Sequence, residues 1–290
     1  MISIIITHFN RPNELFQCID SFQDLKNKEI IIVDDKSDTQ NISLIKKHLN
    51  KIKNDQIFFI ESKDKNFLGG ARNQGLKIAK GDWIFFIDDD DKANKKFIQF
   101  LNEQKLDENI DFYRFPYLKV NNKGKVLSKV KNIFPKSNKY SFQISTYIFN
   151  TFFLQKNNLH FEKNILSEDL IFNMFIYQYP IKQKYVKNIY SINYSSDNIS
   201  ITRKKWTNTL EHEKVINFIL QQKTIKQRKT YALYTLIWIY YLINNNQFEN
   251  KKEAIQELKK LKKQIAPSSK DYLRLNWFHY FKSLKMRIKY

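Results

Sequence analysis

Short apolar runs alternate along the chain with stretches of helical spacing. Residues 2–6, 29–33, 57–60 and 83–87 are dominated by β-branched or aromatic side chains and predict buried strands. Between them Leu15, Phe16, Ile19 and Phe22, then Ile42, Ile45, Leu49 and Ile52, recur at the spacing of one helix face. A third helical segment covers residues 71–80 and stops at Gly81. Strands and helices in alternation predict an α/β fold, a parallel sheet wound by right-handed crossovers. Such sheets bind ligands beyond the carboxyl ends of their strands.

The pattern changes further along. Residues 112–120 (FYRFPYLKV) predict a strand, residues 121–140 a Lys/Asn/Ser-rich loop, and a helix begins near Ser167. Beyond residue 205 the spacing is helical. Ala254, Ile255, Leu258, Leu261 and Ile265 share one face, and Leu273, Trp277, Phe281, Leu284 and Ile288 another. The expected organisation is one domain over residues 1–205 and a helical, basic region over 206–290. The longest apolar stretch, residues 231–243, is shorter than the roughly 20 residues of a membrane-spanning helix, so no span is expected. The first apolar run lacks the basic flank and small-residue cleavage site of a secretory signal.

Composition narrows the class. The 290 residues are 42% apolar, enough for a large core, and only 5 Gly and 5 Pro exclude collagen-like and linker-like chains. The single cysteine, Cys18, excludes an internal disulfide framework and a thiolate metal cluster, and reads as a buried helix residue. Fifty Lys+Arg against 29 Asp+Glu give a net charge of +21, which calls for an anionic partner. No nucleic-acid motif accompanies that charge, so a nucleic acid is not the expected partner. Residues 271–290 carry an apolar aromatic stripe flanked by Arg274, Lys282, Lys285, Arg287 and Lys289. They read as a helix lying on an anionic membrane surface, as a packed helix with solvated lysines, or as an oligomerisation surface. The sequence does not fix the oligomeric state.

Candidate chemistry gathers at the strand ends. The first strand runs into Thr7, His8, Phe9, Asn10, Arg11 and Pro12, where Pro12 suits a helix start and free helix amides suit an anion. His8 reads as a packing or hydrogen-bonding residue rather than a catalytic one. The second strand ends in Asp34 and Asp35, which serve a turn or accept hydrogen bonds from a base or sugar. The fourth leads straight into Asp88, Asp89, Asp90 and Asp91. Crowded like charges favour a hard divalent cation, Mg²⁺ or Mn²⁺, unless the segment is a solvated turn and helix cap. Upstream, Gly69 and Gly70 are suited to a tight turn, with Arg72 placed to pair with phosphate or with a carboxylate of the cluster. Glu168 and Asp169 open an apolar helix, where they complement its dipole or supply a general base.

Together and in this order, SIIITHFNRP (3–12), EIIIVDDKSD (29–38), NFLGGARNQGLKIAKGDWIFFIDDDD (66–91) and SEDLIF (167–172) resemble the inverting, GT-A fold glycosyltransferases of glycosyltransferase family 2. The resemblance implies a mostly parallel sheet with helices on both faces and a helical C-terminal region. It implies transfer of a hexose or N-acetylhexosamine from a UDP-sugar to a glycan or glycolipid hydroxyl of a bacterial surface glycan, with Mn²⁺ or Mg²⁺, at the cytoplasmic face of the membrane. By similarity Thr7, Asn10 and Arg11 would line the nucleotide pocket and Asp35 would bond the uracil. Asp88-Asp89-Asp90 would be the Asp-x-Asp signature. Asp88 and Asp89 would serve the nucleotide sugar, Asp90 would contact the metal with Asp91 supporting it, and Asp169 would be the catalytic base. Residues 194–201 resemble the segment that closes over the diphosphate, but Ser195 and Ser196 stand where many relatives carry a basic residue. Arg203, Lys204 or Lys205 would then supply that charge. A non-catalytic protein holding nucleic acid or anionic glycan through its basic surface is the alternative.

Overall fold

The computed structural model describes residues 1–52, 56–62, 67–121, 123–130, 143–195, 210–222 and 248–265, with isolated positions 224, 232, 235 and 239. The chain divides into two compact units. One comprises Met1–Asn132, Ser141–Asn164 and Phe175–Asn198, the other Ile133–Tyr140, Ile165–Met174 and Ile199–Tyr290.

The first unit begins with β1 (Ile2–His8), α1 (Pro12–Asp20), β2 (Lys28–Asp34), α2 (Thr39–Ile52), β3 (Ile57–Glu61), α3 (Phe67–Ile78) and β4 (Trp83–Asp88). The four predicted strands are present: β1, β2 and β4 are apolar because they are covered on both faces, and β3 is a half-buried edge strand. β1 and β2 are buried along their whole length. After β5 (Lys92–Ala93) and α4 (Lys95–Glu103) come β6 (Phe112–Arg114), β7 (Tyr117–Val120), β8 (Val126–Val130), β9 (Tyr147–Asn150), α5 (Thr151–Lys156), α6 (Glu168–Ile176), whose residues up to Met174 belong to the second unit, β10 (Gln183–Tyr185) and β11 (Ile192–Ser195).

Seven strands form one sheet in the order β10-β6-β9-β4-β1-β2-β3. β9 alone runs antiparallel, to β4 on one side and β6 on the other. From β1 the chain winds outward through β2 to β3, then returns to add β4 on the opposite side of β1. The strand order therefore switches between β1 and β4, and a crevice opens at their carboxyl ends. A second sheet, β5-β11-β7-β8, lies in the same unit. Phe22, Phe85, Phe97 and Phe115 are fully buried and pack edge-on or tilted beneath the main sheet's helices.

Several expectations need correction. The run 112–120 is two strands in different sheets, broken at Phe115 and Pro116, since proline cannot donate to a ladder. The loop expected over 121–140 contains β8, an edge strand that pairs with β7 and exposes its side chains, so its sequence is polar. Gly69 and Gly70 form no tight turn: both lie in the first turn of α3 and are buried. A Cβ on Gly69 would collide with the carbonyl oxygen of Glu162, so glycine is there for close approach.

In the second unit lie α7 (Leu210–Gln221) and a helix labelled here α8 (Lys251–Ile265), which touch each other. Val215, Ile216 and Ile219 of the former and Ala254, Leu261 and Ile265 of the latter are buried, whereas Ile255, expected on the same face, is exposed. Of the apolar stretch 231–243, Ala232, Thr235 and Ile239 are helical and buried. Residues 271–290 and 203–205 lie outside the described residues. No described helix is long and apolar enough to cross a membrane.

Candidate active site

The carboxyl ends of β1 and β4 lie side by side, with Thr7 in register with Asp88. β1 continues as His8, Phe9 and Asn10, and Pro12 opens α1. Asn10 adopts a left-handed conformation, φ 54°, which asparagine tolerates. Its backbone N–H donates to Ser37 Oγ at 2.8 Å, and its side-chain oxygen accepts from the Asp38 amide at 2.7 Å and from Asn41 at 3.0 Å. The loop after β1 is thereby fastened to the loop after β2.

The four aspartates do not share one environment. Asp89 and Asp91 are 0% and 1% exposed, whereas the side chains of Asp88 and Asp90 are 29% and 15% exposed. Asp89–Asp91 lie in the turn after β4, closed by the Asp91 amide on the Asp88 carbonyl at 3.1 Å, and along this turn carboxylates alternate between buried and accessible. Asp88 Oδ1 accepts from Thr7 Oγ1 at 3.2 Å and from Arg72 at 2.8 Å. The Arg72 guanidinium also lies over the Phe161 ring, 5.2 Å from its centroid. Asp90 is held by Arg11 at 2.6 Å, and the other Arg11 amine pairs with Asp89. Gln143 reaches Asp91 at 3.4 Å. Arg72 thus forms an ion pair with a carboxylate of the cluster.

Burial together with Asp88 and Asp89 pushes the Asp90 carboxyl up to about 6, although Arg11 opposes the shift. Asp89 is also shifted upward by burial, against the pull of His8 and Arg11. Burial raises the Cys18 thiol, which lies in α1 as a buried residue. Burial likewise raises the Tyr194 hydroxyl, with Asp91 and Asp90 adding to the shift.

His8 is the residue that sequence reasoning placed beside the site without a partner. Its Nδ1 lies 2.7 Å from Asp89 Oδ2 and its Nε2 faces Asp34 Oδ1 at 3.8 Å, all three side chains being buried. Asp34 is thus tied to the centre, and it also caps the following turn through the Ser37 amide at 2.9 Å. Asp35 is buried beside it, with its backbone N–H donating to the His8 carbonyl at 2.9 Å. Phe9 is 40% exposed next to these groups and offers a flat apolar surface. An exposed aromatic at a strand's carboxyl end was the available signal for it.

Asp169 belongs to the second unit, in the first turn of α6, after Ser167 at φ 57°. It is half-buried, and its Oδ1 accepts from the Leu170 amide at 2.8 Å. Glu168 is buried beside it.

Among the described residues no group of three or more His, Cys, Asp or Glu side chains forms a ready-made metal cage. Asp88 and Asp90 nonetheless supply two accessible hard oxygen donors. That set fits a cation such as Mg²⁺ or Mn²⁺ whose shell is completed by a ligand's phosphate oxygens.

Comparison with known proteins agrees with this architecture. The chain is similar to the structure of S. aureus TarS residues 1–349 in complex with UDP-GlcNAc, at 17% identity and a TM-score of 0.63, covering 83% of this chain and 72% of that one. It is similar to the same TarS fragment with UDP, at 17% identity and a TM-score of 0.58, covering 81% and 70%. The mannosyltransferase PcManGT from Pyrobaculum calidifontis, solved with GDP-Man and Mn²⁺, matches at 12% identity and a TM-score of 0.53, covering 97% and 79%. At such identities the likeness shows the fold alone, that of GT-A glycosyltransferases. No curated protein gives a significant match. The model of Glycosyl transferase family 2 matches residues 3–169, from the first residues of β1 to Asp169 in α6. With the strand switch and the aspartate run inside that span, the chain belongs to glycosyl transferase family 2, and its role is glycosyl transfer.

Proposed function

We propose that the protein is an inverting, metal-dependent glycosyltransferase that moves a hexose or N-acetylhexosamine from a UDP-sugar to a hydroxyl of a bacterial surface glycan, lipooligosaccharide or capsule, forming a β-linkage. The observation that carries the proposal is the alternation after β4, which leaves Asp88 and Asp90 accessible at the strand switch while Asp89 and Asp91 are turned inward. The UDP and UDP-GlcNAc complexes of TarS support the choice of nucleotide, and Mn²⁺ in PcManGT supports the choice of metal.

In this reading Phe9 stacks on the base, Asp35 accepts from it, and Thr7, Asn10 and Arg11 border the nucleotide. Asp90 holds the ion, with Asp91 behind it. Asp88, oriented by Arg72 and Thr7, faces the ribose or donor sugar. The bound ion would screen the diphosphate's negative charge as UDP departs. Asp169 accepts the proton of the acceptor hydroxyl, whose oxygen attacks the anomeric carbon from the face opposite UDP. Inversion of an α-linked donor gives the β-glycoside. The acceptor is carried on a glycolipid, and the basic C-terminal residues 271–290 hold the enzyme to the anionic membrane surface at its cytoplasmic side.

The test is UDP or GDP release from a panel of UDP-sugars and GDP-mannose with Mn²⁺, with and without EDTA. Metal-dependent release from one UDP-sugar, lost in Asp90→Ala, is expected. Release from GDP-mannose alone would contradict the donor assignment.

A further inference from the structure

We infer that the lysine face of α8 docks on the surface of an anionic lipid bilayer, alongside the C-terminal segment proposed above. The inference rests on the membrane reading of the proposed function and adds a second, separate contact to it. The helix reads KKEAIQELKKLKKQI over 15 residues, about 22 Å of length. At 3.6 residues per turn, all six lysines project from one half of its circumference and both glutamates from the other. The buried residues, Ala254, Leu261 and Ile265, occupy the side facing the unit's interior.

The exposed half carries Lys252, Lys259, Lys260 and Lys263, all solvent-facing, with Ile255 37% exposed among them. Glu253 is committed elsewhere. Its amide donates to the Asn250 side chain at 3.2 Å and its carboxylate accepts from Asn250 Nδ2 at 3.0 Å, a reciprocal cap of the helix N-terminus. Lysines at 259, 260, 262 and 263 form like-charge pairs at the three- and four-residue spacings that cost helix stability. An anionic surface relieves that repulsion.

The chemistry of the face selects the kind of anion. α8 contains no aromatic ring to stack a base and no arginine to grip a phosphate bidentately, which argues against a nucleic acid. An aliphatic residue ringed by lysines matches a lipid interface instead. The lysine stems extend along the surface while their ammonium groups reach the headgroups, and Ile255 faces the acyl boundary.

The test is cosedimentation of the full chain with phosphatidylcholine vesicles, with and without phosphatidylglycerol. The proteins compared are the wild type, a Lys252→Gln/Lys259→Gln/Lys260→Gln/Lys263→Gln variant, the corresponding Lys→Arg variant, and a full-length variant with Arg274, Lys282, Lys285, Arg287 and Lys289 changed to Gln. The wild type is expected to sediment only with the anionic vesicles. At about fivefold per lysine near the surface, the α8 Gln variant should lose more than tenfold in partition, and the Arg variant should retain it. Matching thermal unfolding of the variants checks that the fold is intact. An α8 Gln variant that partitions like wild type overturns the inference. If only the 271–290 variant loses binding, the membrane reading stands and the role of α8 falls. A wild-type chain that ignores anionic vesicles, or that prefers single-stranded oligonucleotides to them, overturns both.

Discussion

His8 Nδ1 and Asp89 Oδ2 lie 2.7 Å apart with both side chains fully buried, joining the end of β1 to the first residue after β4 across the strand switch. With Asp89 ionised, the imidazole is the donor through Nδ1, because a carboxylate can only accept. Arg11 closes on Asp89 from the other side and carries its second amine to Asp90. One buried aspartate thus fixes the orientation of its accessible neighbours. Removing His8 leaves Asp89 and Asp34 buried with a lost partner. His8→Ala should cost about 3 kcal/mol in urea unfolding and weaken UDP binding. His8→Asn, which keeps one donor, should recover part of both. Equal stability of His8→Ala and wild type would show that the pair carries nothing.

Asp169 is assigned the proton transfer and no part in holding the donor. Asp169→Asn should therefore lower transfer by on the order of 10²–10⁴-fold while UDP affinity stays near wild type. Steady-state transfer and UDP titration on the same preparation check both halves. A variant keeping more than a tenth of wild-type turnover would remove Asp169 from the base role.

Asp90 titrates near 6 in the unliganded chain, well above an ordinary carboxyl. Below that pH it is protonated, and a cation must displace the proton to bind. Mn²⁺ affinity should be level above pH 7 and fall as pH drops through about 6, with close to one proton released per ion bound in that window. In Asp90→Asn the residual affinity should lose this step. Mn²⁺ titrations in buffers of differing ionisation enthalpy read both quantities.

His212 is buried against Phe248 and burial lowers it to about 4. A histidine depressed in the folded state binds its proton more readily when unfolded. Its contribution to stability is complete above pH 6.5 and is lost as pH falls from there toward 4. Between pH 7 and pH 5 the wild type should lose about 2 kcal/mol more than His212→Leu. Urea unfolding of both proteins followed by far-ultraviolet circular dichroism at the two pH values checks it.

The parts of the fold that were legible in the sequence are those where burial is two-sided. β1, β2 and β4 are unbroken apolar runs because helices and neighbouring strands leave no wet face, β3 stands at the sheet edge half-buried, and the aspartates stand out because they end such a run. β9 was missed because YIFN merges with the apolar start of α5, so no period separates strand from helix. β8 was missed for the opposite reason, since an exposed edge strand has the polarity of a loop. Gly69 and Gly70 suggest a turn by propensity, and only the approach of Glu162 explains glycine inside a helix. At the site, residue types identified the cluster but not its sides. Which aspartates face out depends on the turn after β4 and on the arginines that hold it, Arg11 and Arg72, and the use of Asp34 depends on where His8 points. Both are contacts between segments far apart in the chain.

The central claim is that Asp90, accessible after β4 and backed by Asp91, holds a divalent ion on the diphosphate of a uridine nucleotide while Asp88 faces its ribose or donor sugar. Calorimetric titration of UDP with Mn²⁺ or with EDTA, on the wild type, Asp90→Ala and Asp91→Asn, tests it directly. The account predicts wild-type affinity that drops at least tenfold in EDTA. It predicts an Asp90→Ala affinity that stays weak whether or not Mn²⁺ is present, and an Asp91→Asn protein that still responds to the metal. Wild-type UDP affinity unchanged by EDTA, or no UDP binding at all, would contradict it.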